Sequence, residues 1–373
     1  MNGSNKKVVA LIVISIVIIN VNVIESHSYA RNDIKLSFNE ITNYINSTWM
    51  HDIITTIASD EFEGRYPGTR GDNLTLNFIE NQLREFDIDP LGKSESYRHS
   101  ILNGLTSNIL AELSTKETNK TIIISAHHDH LGNKSGTIYN GANDNASGVS
   151  VVLEIAKILR ELIKLYYLRM NIIFAFWGAE EIGYLGSQQF ISNKFPEKYN
   201  KSIELVINLD EVGFDAGDHT LWVSGGLDIP EDYEMKFRTA SNESKITLLN
   251  MYHSHGGSDH QSFLNVGIPA ITLVWTAYRP YWHTPEDTAE KINNTLLEKT
   301  AHVVLNYLIN QIGIFTGEIP VINTKSTYES SNTDKTNSSI SNYSKKIHNI
   351  NFNFTTSIFL IIILIGYKRT KRN

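Results

Sequence analysis

The stretch of sequence that decides the fold reads TIIISAHHDH and covers residues 121–130. Its first part is a short apolar run rich in β-branched residues, which is typical of a strand that is buried on both faces. The run ends abruptly in three histidines and an aspartate. In sheets of parallel strands, functional sites form at the carboxyl ends of the strands. The residues that follow each apolar run are therefore the most informative about function.

Further apolar runs of the same kind occur later in the chain, over residues 172–176, 205–209, 221–223 and 270–274. Apolar residues also recur at helical spacing in three segments, which are Phe38–Ile57, Leu76–Phe86 and Val152–Ile163. Strands that alternate with helices indicate a mostly parallel central sheet covered by helices, an α/β fold with three α/β/α layers. We expect one such domain over residues 37–316, because this length suits a single α/β domain.

Composition excludes several classes of protein. The 373 residues include 33 basic and 40 acidic ones, which give a net charge of -7 and argue against nucleic acid as a partner. An apolar fraction of 41 % is too high for a mostly disordered chain. The complete lack of cysteine removes disulfides, thiol nucleophiles, iron–sulfur clusters and cysteine-ligated zinc. Any metal must therefore be held by His, Asp and Glu.

Such residues stand directly after the predicted strands. The sequence HHDH follows the first run at residues 127–130, GAEE lies at 178–181, DE lies at 210–211, and WHTPED lies at 282–287. A turn that reads GANDNASG, at residues 141–148, leads into a predicted helix. Scattered surface charges would show no preference for strand ends. The pattern therefore indicates a metal site built from imidazole and carboxylate ligands.

At this point the sequence resembles a known family. The ordered segments SAHHDHLG, GANDNASGV, FWGAEEIGYLGS, NLDEVG and HTPEDT are similar to those of the M28 family of co-catalytic zinc peptidases, most of which are aminopeptidases. Upstream, GRYPGT at residues 64–69 resembles the family's GRxxGT loop. The resemblance runs from about Ser59 to Leu308. It implies the three-layer zinc-exopeptidase architecture, also called phosphorylase/hydrolase-like, in a single catalytic domain.

The resemblance also implies a set of metal ligands, and these are His127, Asp144, Glu181, Asp210 and His283. One Zn²⁺ would be held by His127 and Asp210, and a second one by Glu181 and His283. Asp144 would bridge the two ions. Co²⁺ or Mn²⁺ could substitute for zinc.

Two further residues receive catalytic roles from the resemblance. Glu180 would be the general base, and Asp129 would hydrogen-bond the far nitrogen of His127 and so orient its ring. The peptide bond after Asp144 would be cis. Charge supports the arrangement, because two Zn²⁺ ions would balance four carboxylates, those of Glu180 and the three acidic ligands. Zinc lowers the pKa of water to about 7, and Glu180 could then carry a proton from water to the leaving amine.

The expected activity is the release of N-terminal residues from a peptide substrate. Arg279, Tyr281 and Trp282 are the candidate substrate-binding residues, and His128 and His130 are expected to be bystanders. Alternatives remain open. A carboxypeptidase or dipeptidase would use Arg279 to hold a substrate carboxylate, and a glutaminyl-cyclase-like acyltransferase or a catalytically dead receptor-like ectodomain would share the fold.

The first thirty residues have the pattern of a targeting segment. Lys6 and Lys7 precede an uncharged apolar run over residues 8–24, and residues 28–30 read SYA, with small residues where signal peptidase cuts. Residues 1–30 are therefore predicted to be a cleaved secretory signal or an uncleaved signal anchor. The second possibility remains because the run approaches the roughly 17–25 residues that span a bilayer.

The last fifty residues predict attachment to a membrane. Residues 323–347 are rich in Ser, Thr and Asn, as expected of a solvated stalk. Residues 350–367 contain a second apolar run, and residues 368–373 form a basic tail that should face the cytoplasm. We therefore expect a protein of the cell membrane whose catalytic domain lies outside the cytoplasm. The sequence makes no prediction of oligomeric state.

Overall fold

The computed structural model describes residues 32–317 apart from 216, 218–219, 226–229, 253–256 and 276–278. The predicted signal or anchor, stalk, membrane segment and basic tail all lie outside the described residues. Within those residues, no helix has the length and apolar character needed to cross a membrane.

Fourteen strands occur in the part of the chain that is described, and most of them join one central sheet. Their bounds are β1 Asn32–Asp33, β2 Asp89–Pro90, β3 Arg98–Ile101, β4 Thr106–Leu113, β5 Lys120–His127, β6 Gly132–Lys134, β7 Thr137–Tyr139, β8 Tyr167–Leu168, β9 Asn171–Trp177, β10 Ser202–Leu209, β11 Thr220–Gly225, β12 Thr247–Tyr252, β13 Ala270–Trp275 and β14 Phe315–Gly317. The central sheet has the order β12-β11-β13-β10-β5-β9-β4-β2, and β3 also pairs with β4.

The centre of this sheet is parallel, and strands of opposite direction flank it. Strand β10 pairs in parallel with β13 and with β5, and β5 pairs in parallel with β9. Strand β4 is antiparallel to β9, and β11 is antiparallel to β13. The predicted mostly parallel sheet is thus confirmed, with an antiparallel neighbour on each side of the parallel core.

Helices cover both faces of the sheet. Their bounds are α1 Phe38–Thr42, α2 Ser47–Ile57, α3 Arg70–Glu85, α4 Gly148–Leu162, α5 Leu185–Ser192, α6 Phe195–Lys198, α7 Glu231–Glu243, α8 His260–Leu264 and α9 Asn294–Asn306. A turn over Ala142–Ser147, in which Asp144 and Asn145 have non-helical backbone angles, leads into α4, and a π-helical turn, Tyr307–Ile312, continues α9. Short 3₁₀ segments cover Asp60–Arg65, Leu91–Lys93, Leu102–Gly104 and Ala289–Lys291.

Alternation along the central strands creates two separate cores. On β5, Ile122 and Ile124 point into the larger core, which α2, α3, α4 and α9 complete. Ile123 points to the opposite face, where it packs in a smaller core with Phe190 of α5 and Phe263 of α8. Successive side chains of a strand point to opposite faces, so an unbroken apolar run requires two covering layers. The three-layer α/β/α fold is therefore confirmed.

The predicted first helix is wrong in one respect, because Phe38–Ile57 forms two helices rather than one. The chain leaves helical geometry before Asn46, whose side chain accepts the Trp49 N–H at 3.0 Å and caps α2. The Asn46 N–H donates to the buried carboxylate of Glu154 at 2.6 Å instead of to the preceding turn. Asn side chains compete with the helical backbone in this way, whereas apolar spacing only reports which face is buried.

The smaller core should be a sensitive point for stability. Phe190 is fully buried, with its ring 5.3 Å from Trp177 and 6.1 Å from Phe263. Phe190→Ala should lower the free energy of unfolding by about 3–5 kcal/mol, through lost burial and the cavity left behind. Chemical denaturation of the folded domain measures this, with the exposed Met235→Ala as control. A loss below about 1 kcal/mol would contradict the close packing of α5 and α8.

Candidate active site

The predicted metal ligands meet at the carboxyl edge of the parallel strands. His127 is the last residue of β5, and Asp210 directly follows β10. Glu181 follows β9, His283 lies beyond β13, and Asp144 belongs to the turn before α4. Parallel strands that lie side by side end at the same edge, so residues distant in sequence become neighbours here.

The first group of ligands surrounds His127. Its Nε2 atom lies 3.3 Å from Asp144 Oδ1 and 3.4 Å from Asp210 Oδ1. The three residues offer donor atoms close enough together for one metal ion. His127 and Asp144 are buried, and Asp210 is half-buried, so the group is shielded yet open on one side.

The second group shares the other oxygen of Asp144. His283 Nε2 lies 3.3 Å from Asp144 Oδ2 and 3.0 Å from Glu181 Oε2. Two ligands placed 2.0–2.1 Å from a tetrahedral zinc ion stand about 3.3 Å apart. The contacts in both groups are close to this spacing, so the donor set fits zinc. Asp144 turns one oxygen toward each group, as expected of a bridging carboxylate.

Electrostatic coupling within the site is strong. Burial would lower the pKa of His127, but the carboxylates of Glu180, Asp210 and Asp144 raise it well above the usual value. Burial likewise opposes ionisation of Asp144, yet hydrogen bonds from His127 and His283 hold its pKa well below the ordinary value. Burial raises the pKa of Glu180 to about 10, while His127 opposes this rise and neighbouring carboxylates add to it. This crowding of acidic groups favours a bound cation.

Asp129 occupies a different position from the one predicted. Its carboxylate lies 3.9 Å from His127 Nδ1, too far for a hydrogen bond, whereas its main-chain oxygen lies 3.2 Å from that nitrogen. The carboxylate instead accepts the main-chain N–H groups of Glu180 at 3.0 Å and Glu181 at 3.2 Å. The loop after β9 therefore occupies both carboxylate oxygens. The backbone of Asp129 orients His127, and its side chain holds the two glutamates.

Asp287 is a residue of the site whose role the sequence did not reveal, although it lies in the quoted HTPEDT segment. Its carboxylate accepts the N–H groups of Asn143 at 2.8 Å and Asp144 at 3.0 Å, which fixes the turn that carries the shared ligand. The Asp144–Asn145 peptide bond is cis, as the family resemblance implied. Asn145 then donates from its side chain to the Leu209 carbonyl at 2.8 Å. Asp287 and Asp144 are far apart in the chain, so no local sequence pattern could have predicted their contact.

Arg65, from the quoted GRYPGT segment, ties the surrounding loops together. Its side chain is fully buried and donates to the carbonyl oxygens of His128 at 2.9 Å, Asn140 at 2.6 Å and Gly141 at 2.8 Å. Burial lowers the pKa of this guanidinium to about 10, while nearby carboxylates oppose that change. The loop after β5 and the turn before Asp144 are therefore held by one cation.

A cleft of about 470 Å³ opens above the two groups. Two of the predicted substrate-binding residues, Arg279 and Trp282, line this cleft. The third, Tyr281, lines a small adjoining pocket. Glu211, which had no predicted role, also lines the cleft and accepts a hydrogen bond from Arg279. The Arg279 guanidinium lies 4.9 Å from the centre of the Trp282 ring. The arginine is thus held against the wall of the cleft by a carboxylate and an aromatic ring.

Comparison with known proteins agrees with this fold. The chain belongs to peptidase family M28, whose family model matches residues 108–308, more than half of the sequence. A similar relative is the aminopeptidase YwaD of Bacillus subtilis, which is 32% identical over 189 residues. That alignment covers 49% of this chain and 39% of the relative, so the chain spans well under half of that protein's length.

Solved structures share the fold at lower sequence identity. A zinc aminopeptidase from Bacillus subtilis has a TM-score of 0.59 and 19% identity, with 70% of this chain and 94% of that one covered. A glutaminyl cyclase from Porphyromonas gingivalis has a TM-score of 0.56 and 22% identity, with 71% and 98% covered. Identities this low establish a common fold and leave the reaction to be argued from the site.

The support that Asp287 gives to the shared ligand can be measured. Asp287→Ala removes both acceptors for the Asn143 and Asp144 N–H groups and should weaken zinc binding roughly 10–100-fold, as loss of ligand-supporting residues typically does. Competition with a chromophoric chelator measures this affinity, and the exposed neighbour Glu286→Gln is the matched control. Unchanged affinity in a folded Asp287→Ala variant would show that the turn keeps its geometry without the carboxylate.

Proposed function

We propose that this chain is a zinc-dependent aminopeptidase that uses two metal ions to remove N-terminal residues from peptides. The observation that carries the proposal is the position of Asp144, whose two oxygens face two separate sets of imidazole and carboxylate donors. Two sets that share one carboxylate suit two ions, and this donor chemistry suits zinc, with Co²⁺ or Mn²⁺ as substitutes. Membership of family M28 supports the same conclusion.

Each ligand has a place in this proposal. His127 and Asp210 would hold one ion, Glu181 and His283 the other, and Asp144 both. The bound ions would supply the Lewis-acid charge that acidifies water, polarises the substrate carbonyl and favours ionised carboxylates around them.

Proton transfer is the task of Glu180. Glu180 lines the cleft beside the ligands. Its main-chain N–H donates to Asp129 Oδ1 at 3.0 Å. Glu180 would accept a proton from the attacking water and deliver it to the departing amine. Burial raises the pKa of Glu180 in the metal-free site, and the positive charge of the bound ions would lower it, so that an ionised carboxylate could accept the proton. Glu181 is the next residue in sequence, and the Asp129 carboxylate accepts the main-chain N–H groups of both glutamates, which holds the base and the ligand in one loop.

The pairing of Arg279 favours an N-terminal over a C-terminal substrate end. A carboxypeptidase or dipeptidase needs a free cation for the terminal carboxylate, and Arg279 is instead paired with Glu211. The other carboxylates of the lining, those of Asp144, Glu180, Glu181 and Asp210, would be balanced by the two bound ions. All the predicted ligands and the base are present, which argues against a catalytically dead ectodomain.

The role of Glu180 yields the most direct test of the mechanism. Glu180→Gln should lower kcat roughly 10²–10⁴-fold, because the amide cannot transfer the proton, while zinc content stays at the wild-type value. Hydrolysis of an aminoacyl chromogenic amide measures kcat, and metal analysis measures zinc. The exposed Glu290→Gln is the control for a neutralised glutamate elsewhere. Full turnover by Glu180→Gln would contradict the mechanism.

The choice between exopeptidase classes requires matched substrates. One peptide should be offered with free ends, with an acetylated N-terminus and with an amidated C-terminus, and products identified by mass spectrometry. An aminopeptidase cleaves the free and amidated forms at similar rates and spares the acetylated form. Cleavage of the free and acetylated forms, with the amidated form spared, would identify a carboxypeptidase. Loss of ammonia from an N-terminal glutamine without chain cleavage would identify a cyclase.

A further inference from the structure

Glu181 is held by two imidazoles, one at each of its carboxylate oxygens. His283 Nε2 lies 3.0 Å from Oε2, and His130 Nδ1 lies 2.6 Å from Oε1. His130 was expected to be a bystander from its sequence. Its ring is fully buried against the site, with the ring centre 5.8 Å from that of His283.

Interatomic distances distinguish the roles of these two histidines. His283 keeps 3.0 Å and 3.3 Å from its carboxylate partners, near the spacing of about 3.3 Å between two ligands of one zinc ion. His130 lies 2.6 Å from Glu181 Oε1 but 3.9 Å from Asp144 Oδ2. His130, Asp144 and Glu181 do have donor atoms within reach of one ion. The shorter distance is nevertheless that of a strong hydrogen bond to a carboxylate, and the longer one exceeds the spacing of about 3.3 Å between two ligands of a tetrahedral zinc ion. His130 therefore has the geometry of a hydrogen-bond donor to a ligand.

The backbone around His130 fixes the orientation of its ring. Gly141 has a φ of 59°, and a Cβ atom at that position would lie 2.5 Å from two ring carbons of His130. Arg65 fixes Gly141 by donating to its carbonyl oxygen at 2.8 Å. The main-chain N–H of His130 donates to the Arg65 carbonyl at 3.4 Å. The ring is thus held between two segments that one buried arginine joins.

We propose that His130 is a positioning residue. Its Nδ1–H donates a hydrogen bond to Oε1 of Glu181, which leaves Oε2 of that carboxylate to bind the metal. The proposal rests on the two-metal site of the proposed function. A carboxylate held at one oxygen binds an ion through the other, which restricts both its direction and the number of atoms it donates. Without the donor, Glu181 is free to rotate, and the ion held by Glu181 and His283 should bind more weakly. The ion held by His127 and Asp210 should be unaffected.

Zinc titration of the metal-stripped protein tests the proposal, with a chromophoric chelator as competitor. His130→Leu removes the donor and should weaken one of two zinc sites roughly 10–100-fold, with the other unchanged. His130→Asn places an amide N–H near the original Nδ1 and should recover most of the affinity. His130→Gln keeps a polar group of similar size but moves the donor one bond outward, and it should recover less than Asn.

The control is His128→Leu, since His128 is equally buried two residues earlier but lies against Ser107 and Asp72. It should leave both zinc affinities within about twofold. If His130→Leu fails to fold, the difference between the Asn and Gln variants decides the matter. Two unchanged sites in folded His130→Leu, or equal affinities in the Asn and Gln variants, would overturn the role of His130. Fewer than two ions in the wild-type protein would instead contradict the proposed two-metal site.

Discussion

The burial of several carboxylates at one edge of the sheet is the constraint on which the rest of the structure depends. Asp144, Glu180 and Glu181 are largely withdrawn from water within one small region, with Asp210 beside them. Like charges in a poorly hydrated site raise one another's free energy unless cations or hydrogen-bond donors offset them. The imidazoles of His127, His130 and His283 supply part of this compensation, and the donor set has the chemistry to hold divalent ions for the rest.

Much of the surrounding chain holds these groups in place through main-chain atoms. Asp129 binds the N–H groups of the loop that carries the two glutamates, and Asp287 binds those of the turn that carries Asp144. Arg65 binds the carbonyl oxygens of the neighbouring loops. Side chains that bind backbone position a ligand without competing for the metal. Loops at strand ends, which are otherwise the most mobile parts of such a fold, can thereby keep a reproducible geometry.

Prediction from sequence succeeded where the signal was local. The run TIIISA indicated a strand buried on both faces, and the residues after each run indicated where the site would be. Prediction failed where a residue's partner is distant in sequence. Asp129 was assigned to His127, yet the loop after β9 occupies its carboxylate, and His130 was assigned no role although it contacts Glu181. The break between α1 and α2 was missed because apolar spacing carries no information about a capping asparagine.

By itself, the sequence determined the type of fold, the edge of the sheet where function resides and the residue types available for a metal. These properties follow from apolar periodicity and from a composition without cysteine, and both can be read along the chain. Only the tertiary structure decided which oxygen of Asp144 faces which histidine, how far each imidazole lies from Glu181, and that Arg279 is paired. Such choices depend on differences of well under 1 Å in the distances between segments far apart in sequence, since His130 and His283 lie 2.6 Å and 3.0 Å from Glu181 and 3.9 Å and 3.3 Å from Asp144. Packing of the whole domain sets those distances.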